Sequence, residues 1–208
     1  MAAAVAALAL GVGACGLAPA EQARPPLLLL SSLPILFADD FALEAPDSPL
    51  RDALQSRFAL RPIALADATS LDGAGLLLMA QPRAQTAEAL VDLDAWVRGG
   101  GHLLLLADPL LQWPTDRPLG DPLAPVPAYA DTGLLGHWGL TLYRPEPGSS
   151  LGSFAASKQS GCTLEEDAVV ARCTIGKGRV TIIADADFAR DGPGAARLVG
   201  ELEKLSAR

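Results

Sequence analysis

Polar side chains that could do chemistry follow several of the predicted strands at the point where each strand ends. These side chains are Asp39 and Asp40 after the first strand, Gln81 after the third, Asp108 after the fourth, and Asp185 and Asp187 after the last. Because ligands of open parallel sheets bind beyond the carboxyl ends of the strands, we expect these groups to share one rim. Converging carboxylates suit a hard cation or a cationic group. Aspartates after strands also cap turns and helices, so the structural alternative stays open.

Aromatic residues and one histidine extend this candidate set. Trp113, Tyr129 and Trp138 could form a lip for a sugar or a peptide, or they could cover an edge of the core. His137 could act as a general base, or it could pack against Trp138. The tentative ligand-binding set therefore adds Trp113 and His137 to the acidic and amide residues of the rim.

Cys162 and Cys173 are placed to face each other across a hairpin. An antiparallel pair that turns at Asp167-Ala168 sets the two cysteines directly opposite on one face. Directly opposed residues have Cα separations that a disulfide accepts, and so short a closed loop stabilises by about 2 to 3 kcal/mol. Such a bond persists in an oxidising compartment, whereas in the cytosol these would be free thiols. Neither cysteine lies in a Cys-x-x-Cys pair, so no metal site is expected here.

The first 20 residues, MAAAVAALALGVGACGLAPA, have the short apolar core of an export signal. Ala18-Pro19-Ala20 is typical of signal-peptidase cleavage, and the overlapping Val12-Gly13-Ala14-Cys15 resembles a lipobox in which Cys15 would carry the lipid. An Ala-rich cytosolic tail is the third alternative. The pattern favours a periplasmic or cell-envelope protein that touches the membrane only through an anchor at Cys15.

Composition limits the partners and the fold. Half of the 208 residues are hydrophobic, which excludes disorder and suits a single domain over residues 27–205. The 24 acidic and 16 basic side chains give a net charge of −8, which argues against nucleic acid as a partner. Gly176-Lys177-Gly178 and the Gly99–Gly101 run both precede strands, so neither forms a phosphate loop and no cofactor is expected.

The first half of the chain alternates apolar strands with amphipathic helices. The predicted strands are Leu27–Phe37, Arg61–Leu65, Gly75–Ala80 and His102–Ala107, and the predicted helices run from the caps Ser48 and Thr86. This alternation predicts an α/β fold with a mostly parallel sheet flanked by helices.

The second half is less regular. Gln112–Ala130 is rich in proline and should be a long loop over the sheet edge, and Pro145–Gly161 should be a second loop. The remaining predicted elements are a short helix over Gly133–Trp138, a strand over Leu140–Tyr143, the cysteine hairpin, a strand over Gly178–Ala184 and a helix over Gly194–Leu205. The chain thus ends in a β-hairpin, one further strand and a closing helix.

Three segments occur in an order found in a known family: LDAWVRGGGHLLLLADP, LLGHWGLTL and GKGRVTIIADADF. In this order the chain resembles the glutamine-amidotransferase-like domain of auxiliary proteins of bacterial ABC transport systems, including the gliding-motility auxiliary family. The resemblance implies a class I glutamine-amidotransferase-like, flavodoxin-like fold. Amidotransferases of this fold carry a nucleophilic cysteine on a strand-to-helix turn, but here the strands run into Gln81-Pro82-Arg83 and Asp108-Pro109. The resemblance therefore implies a non-catalytic accessory or partner-binding domain.

Two alternatives to this accessory role stay open. A hydrolase that uses a metal on the acidic rim, or His137, requires Asp39, Asp108 and Asp185 to converge around an open pocket. A periplasmic small-molecule binding module requires the aromatic residues to line that pocket instead.

Overall fold

The computed structural model describes residues 24–36, 48–118 and 120–207. It is a mixed α/β fold with a mostly parallel seven-stranded sheet, flanked by helices and closed by a C-terminal antiparallel hairpin. The strands of this sheet are β1 (Pro26–Ser31), β2 (Ala59–Pro62), β3 (Leu76–Ala80), β4 (His102–Leu106), β7 (Cys162–Glu165), β8 (Val170–Ile175) and β9 (Gly178–Ile183). A separate pair consists of β5 (Leu140–Tyr143) and β6 (Ser153–Ala156). The helices are α1 (Pro49–Arg57), α2 (Ala68–Leu71), α3 (Ala87–Gly99), α4 (Leu134–His137) and α5 (Gly192–Ser206), with a 3₁₀ turn over Asp187–Arg190.

The strand order is β2-β1-β3-β4-β9-β8-β7, and the first five strands in this order are parallel. The chain moves outward from β1 to β2 and then returns past β1 to β3. The order therefore reverses between β1 and β3, and this switch point is where open α/β sheets form a crevice.

Continuous leucine runs supply the buried strands because both faces of the sheet are covered. Alternate residues of β4 show this: Leu103 and Leu105 pack with α3 and Trp138, whereas Leu104 and Leu106 pack with α1 and α5. Each strand thus contributes to two hydrophobic cores, one on either side of the sheet.

Side-chain caps set where the helices begin. Ser48 and Thr86 accept hydrogen bonds from the amides of Arg51 and Ala89, as the sequence predicts. Asp191 caps α5 by accepting from Gly194, so this helix begins at Gly192 rather than at Gly194. In the described parts of the chain, no helix has the length and hydropathy needed to cross a bilayer.

Several predicted elements differ from the structure. The first strand ends at Ser31, earlier than predicted, because the Ser31 hydroxyl accepts from the Leu33 amide and turns the chain out of the sheet. The second strand lies at Ala59–Pro62, ahead of the predicted Arg61–Leu65. The predicted loop over Pro145–Gly161 is wrong in part, since it contains β6, which pairs with β5 through Leu140↔Ala156 to Tyr143↔Ser153. The leader, Cys15, Asp39 and Asp40 lie outside the described residues.

The C-terminal hairpin has the predicted register, with Cys162 opposite Cys173. The two cysteines form a disulfide with a Cα–Cα distance of 4.0 Å. The turn at Glu166–Ala168 adopts positive φ values, and the Val169 amide closes it on the Glu166 carbonyl. β8 then pairs antiparallel with β9, so the hairpin extends the parallel sheet.

Candidate functional site

Gln81 and Asp108 follow β3 and β4, and both are fully buried. The Gln81 side-chain amide donates to the Asp108 carbonyl at 2.9 Å and to the Val126 carbonyl at 3.1 Å, while its oxygen accepts from the Asp108 amide at 2.9 Å. The side chain thus pairs with the backbone of Asp108 as a neighbouring strand would. Gln81 itself has a φ of 47°, the left-handed region that non-glycine residues rarely adopt.

The Pro-rich loop is fixed over these strand ends by three further contacts. The Ser32 hydroxyl donates to the Gln81 carbonyl at 2.5 Å and accepts from the Val126 amide at 3.1 Å. The Tyr129 amide donates to the Asp108 carbonyl, and the Leu111 amide donates to Pro127. The loop over residues 112–130 therefore covers the carboxyl ends of β1, β3 and β4, as the sequence predicts for its position.

Asp108, Asp185 and Asp187 form the acidic cluster of this rim, with one carboxylate oxygen from each within 4.8 Å of the others. The two Asp108 oxygens accept from the amides of Leu110 and Ala186 at 2.7 and 2.9 Å. Asp185 accepts from the Asp187 amide, and Asp187 accepts from the Gln112 amide through Oδ2. The Asp187 Oδ1 atom is buried and has no hydrogen-bond partner among the described residues.

Burial raises the pKa of Asp108 and of Asp185 above their ordinary values, and the neighbouring carboxylates add to the shift, whereas hydrogen bonds from backbone amides oppose it. Three close carboxylates are a donor set that suits a hard divalent cation. The same oxygens also join the segments after β4 and β9 through backbone amides, which is a structural role. The sequence prediction of converging aspartates is thus met by these three residues.

His137 does not belong to this rim, contrary to its place in the predicted set. Its side chain is 58% exposed and lies near Arg98, with Nε2 3.2 Å from the guanidinium and 3.6 Å from the Asp94 carboxylate. The Arg98 carbonyl accepts from the amide of Lys177, just before β9 begins. His137 therefore lies toward the amino ends of the parallel strands, the edge opposite Asp108.

The three aromatic residues pack into the protein instead of forming a lip. Trp138 is buried and its indole N–H donates to Asp94 at 2.8 Å. Tyr129 packs against the core on the α3 side, where burial raises the pKa of its hydroxyl, and Trp113 packs against the core on the α5 side. Core packing, the structural alternative, thus describes all three.

A cavity of about 280 Å³ lies at the switch point, and the sequence does not predict its arginines or its apolar lining. The apolar part is lined by Leu29, Leu33, Pro34, Ile35, Leu36, Pro62, Ile63, Pro122 and Leu123. Ser31, Ser32, Arg83 and Arg117 complete the lining among the described residues. The signal that could have found this site is the pair of arginines, one directly after β3 and one in the Pro-rich loop, because both lie where the topology forms a crevice.

Comparisons with known proteins show the fold alone. No family model and no curated protein matches the chain. The β-galactosidases from Rahnella sp. R3 and Bacillus circulans sp. alkalophilus are 14% and 10% identical to it, each over 89% of this chain, and both have a TM-score of 0.52. The chain spans about a third of these enzymes, 32% and 31% of their lengths. A cytoplasmic protein from Salmonella typhimurium LT2 is 12% identical over 88% of this chain and 99% of its own, with a TM-score of 0.50.

Proposed function

We propose that this chain is an exported, non-catalytic domain that binds partner proteins of a bacterial ABC-type transport system at the cell envelope. The observation that carries this proposal is the use of Gln81 and Asp108. Enzymes of the amidotransferase-like class place their nucleophile after a central strand. In this chain, the side chains after β3 and β4 are buried and bonded to the backbone, so they hold the fold together.

The strand order supports the amidotransferase-like, flavodoxin-like assignment. The five parallel strands have the order 2-1-3-4-5 when they are counted along the chain, which is the flavodoxin-like order. The segments that resemble the transport auxiliary family supply α3 with β4, α4 with β5, and β9 with the turn that follows it. The segments that carry the resemblance thus include strands of the sheet and elements that pack on each of its two faces.

The disulfide supports export. Cys162 and Cys173 are bonded in the structure, and a bond of this kind is maintained in the periplasm but not in the cytosol. Together with the apolar leader, it favours a protein of the envelope.

Envelope fractionation followed by photo-crosslinking tests this function. We expect the native protein to lack residues 1–20, or to carry acyl chains on Cys15, and its cysteines to resist thiol labelling until they are reduced. A photoreactive residue at exposed Val91 should then crosslink to a permease subunit of a transporter. A full-length soluble species with reactive thiols would overturn export, and crosslinks without any transporter subunit would overturn the transport role.

The acidic cluster favours a second candidate function, a metal-assisted hydrolase. The close approach of Asp108, Asp185 and Asp187 supports it, as does the Asp187 Oδ1 atom, which has no partner in the part of the chain that the structure describes. Calorimetric titration with Mg²⁺, Ca²⁺ and Mn²⁺ tests this candidate, with Asp187→Asn as the variant. Saturable binding that the variant loses, together with metal-dependent hydrolysis, would favour the enzyme over the accessory role. Heats equal to those of buffer would remove the candidate.

A further inference from the structure

We infer that a second cavity, beside the carboxyl end of β4, binds a free α-amino acid with an apolar side chain. The inference does not depend on the transport role, because it uses only the chemistry of this cavity. The cavity has a volume of about 330 Å³ and is lined by the end of the Pro-rich loop, by α4 and by β5. The lining residues in the described parts of the chain are Pro109, Ala128, Tyr129, Asp131, Gly136, Leu140, Thr141, Leu142 and Arg144.

The lining carries two opposite charges that do not neutralise each other. Among the described residues, Asp131 and Arg144 are the charged side chains of this cavity, and they form no ion pair with each other. The Arg144 guanidinium also has no hydrogen-bond partner in the part of the chain that the structure describes. A ligand with a single charge would match only one of the two groups, whereas a zwitterion matches both.

Asp131 is held in place and still has acceptor capacity for a ligand. Its Oδ1 atom accepts from the amides of Gly133 and Leu135, both at 3.1 Å, and its Oδ2 atom accepts from the Gly136 amide at 3.3 Å. These bonds fix the carboxylate at the start of α4. An ionised carboxylate offers about four acceptor sites, so Oδ2 still has a site for the ammonium group of a ligand.

Arg144 continues the face of β5 that lines the cavity. Leu140 and Leu142 alternate along β5, and Arg144 is the next residue in the same alternation. Leu140 is buried, Leu142 is half-buried against the core, and Arg144 is exposed. The guanidinium is therefore accessible beside an apolar wall, where it can bind a carboxylate through paired, charge-assisted hydrogen bonds.

Tyr129 contributes a hydroxyl without a partner. The Tyr129 amide donates to the Asp108 carbonyl at 2.6 Å, and the side chain packs against the core. The hydroxyl has no hydrogen-bond partner among the described residues, although a mostly buried tyrosine usually has one. Burial raises the pKa of this hydroxyl, and the negative charge of Asp131 adds to the shift, so the two groups lie near each other. The polar head of a ligand beside Asp131 would supply the missing partner.

The apolar lining and the volume define the rest of the ligand. Pro109, Ala128, Leu140 and Leu142 form the apolar part of the lining. A volume of about 330 Å³ is at the lower end of the range of roughly 300 to 1,000 Å³ that is usual for small-molecule sites. One amino acid therefore fits the cavity better than a peptide does. A branched aliphatic side chain such as that of leucine would be stabilised by the apolar surface that it buries.

Calorimetry and NMR with L-leucine and three matched analogues test the inference. Isocaproate lacks the ammonium group, isoamylamine lacks the carboxylate, and glycine lacks the side chain. Each analogue should bind at least about tenfold more weakly than L-leucine. The chemical-shift changes that L-leucine causes should be confined to the cavity lining. Absence of L-leucine binding, or equal binding of isocaproate or isoamylamine, would overturn the inference.

Two variants assign each charge of the ligand to one side chain. Asp131→Asn should weaken L-leucine binding at least about tenfold and should not weaken isocaproate binding, because isocaproate has no ammonium group. Arg144→Met should weaken the binding of L-leucine and of isocaproate but not that of isoamylamine. Arg190→Met is the matched control, since Arg190 is also exposed but does not line the cavity, and it should change affinity less than about twofold. If Asp131→Asn weakens L-leucine and isocaproate equally, the inference is wrong.

Two further variants place the ligand inside the cavity. Tyr129→Phe should weaken L-leucine binding about two- to tenfold, because it removes a hydroxyl that only the ligand would engage. Leu142→Trp should abolish binding by filling the cavity while the charges stay the same, with circular dichroism used to verify the fold. Unchanged affinity in both variants would locate L-leucine elsewhere and overturn the site.

Discussion

The side-chain amide of Gln81 is the most testable element of the strand-end network, because all of its hydrogen bonds lie in a fully buried site. Gln81→Met keeps the length of the side chain and removes two donated bonds and one accepted bond. Three such bonds contribute about 3 kcal/mol in total, and the buried Asp108 amide left without its partner adds about 1 to 2 kcal/mol. We expect Gln81→Met to lower the free energy of unfolding by about 4 to 5 kcal/mol.

Gln81→Glu distinguishes hydrogen bonding from packing. One carboxyl oxygen still accepts from the Asp108 amide, but the other faces the carbonyls of Asp108 and Val126, and it can donate to one of them only when it is protonated. The folded state therefore raises the pKa of this glutamate. A glutamate whose pKa is raised by folding contributes stability at pH values below its pKa in the unfolded chain, about 4.3. This stability is lost as the pH rises through its pKa in the folded protein. The deficit of Gln81→Glu should thus be larger at pH 7 than at pH 4.5.

Urea unfolding followed by circular dichroism at both pH values measures these differences. Gln55→Met, on the exposed face of α1, is the matched control and should stay within about 0.5 kcal/mol of the native protein. A Gln81→Met variant within about 1 kcal/mol of the native protein, or a pH-independent Gln81→Glu deficit, would refute the assigned role.

Three further predictions concern other parts of the fold. Replacing Cys162 and Cys173 by serine should lower stability by about 2 to 3 kcal/mol under oxidising conditions, measured against the native protein with and without reductant. Glu201 is buried, which alone would raise its pKa, but the hydrogen bonds that it accepts from Arg172 and Lys204 outweigh burial and lower the pKa. The contribution of Glu201 to stability is therefore present above its ordinary pKa near 4.5 and is lost as pH falls. Glu201→Gln should therefore destabilise the protein by about 1.5 to 3 kcal/mol at pH 7 and by less at pH 3. Gly178→Ala should reduce the yield of folded protein and its melting temperature, because a Cβ there would overlap the carbonyl oxygens of Val97 and Gly101.

Each of these variants has a control or a contrary outcome. Reduced native protein should match the double serine variant, and a remaining gap would assign the loss to packing. Glu203→Gln, in an exposed pair with Arg57, should have almost no effect at any pH. Gly200→Ala lies in α5 where a Cβ meets nothing within 4 Å, and it should be tolerated; equal damage from Gly200→Ala and Gly178→Ala would contradict the steric argument.

The sequence predicts the parts of this fold that follow from local rules. Leucine runs and the caps Ser48 and Thr86 locate β1, β3, β4, α1 and α3, and the spacing of the cysteines predicts the register of the hairpin. β6 is missed because a Gly/Ser-rich segment becomes a strand only when β5 supplies a partner. Local patterns do not encode such pairing.

The candidate site likewise has a part that the sequence predicts and a part that only tertiary packing determines. Parallel topology correctly brings Asp108, Asp185 and Asp187 to one rim, because the strands that precede them are neighbours. The sequence does not reveal that Gln81 folds back onto the backbone of Asp108, nor that His137 lies at the opposite edge. The reason is that 27 residues, 107–133, separate β4 from α4, and only tertiary packing determines the path of such a long connection. The placement of Arg83 and Arg117 at one cavity depends on that same path.

The disulfide of the C-terminal hairpin also has a consequence for the order of assembly. Its cysteines are 11 residues apart, so they meet by closing a short local loop, whereas β4 and β9 are joined only after some 70 intervening residues have been arranged. Oxidation can therefore precede the completion of the sheet. The bonded hairpin then offers β8 as a preformed template, and β9 needs only the two-residue turn at Gly176-Lys177 to dock on it before it joins β4. We therefore expect an enzyme that introduces disulfides to act on this hairpin before β9 joins β4.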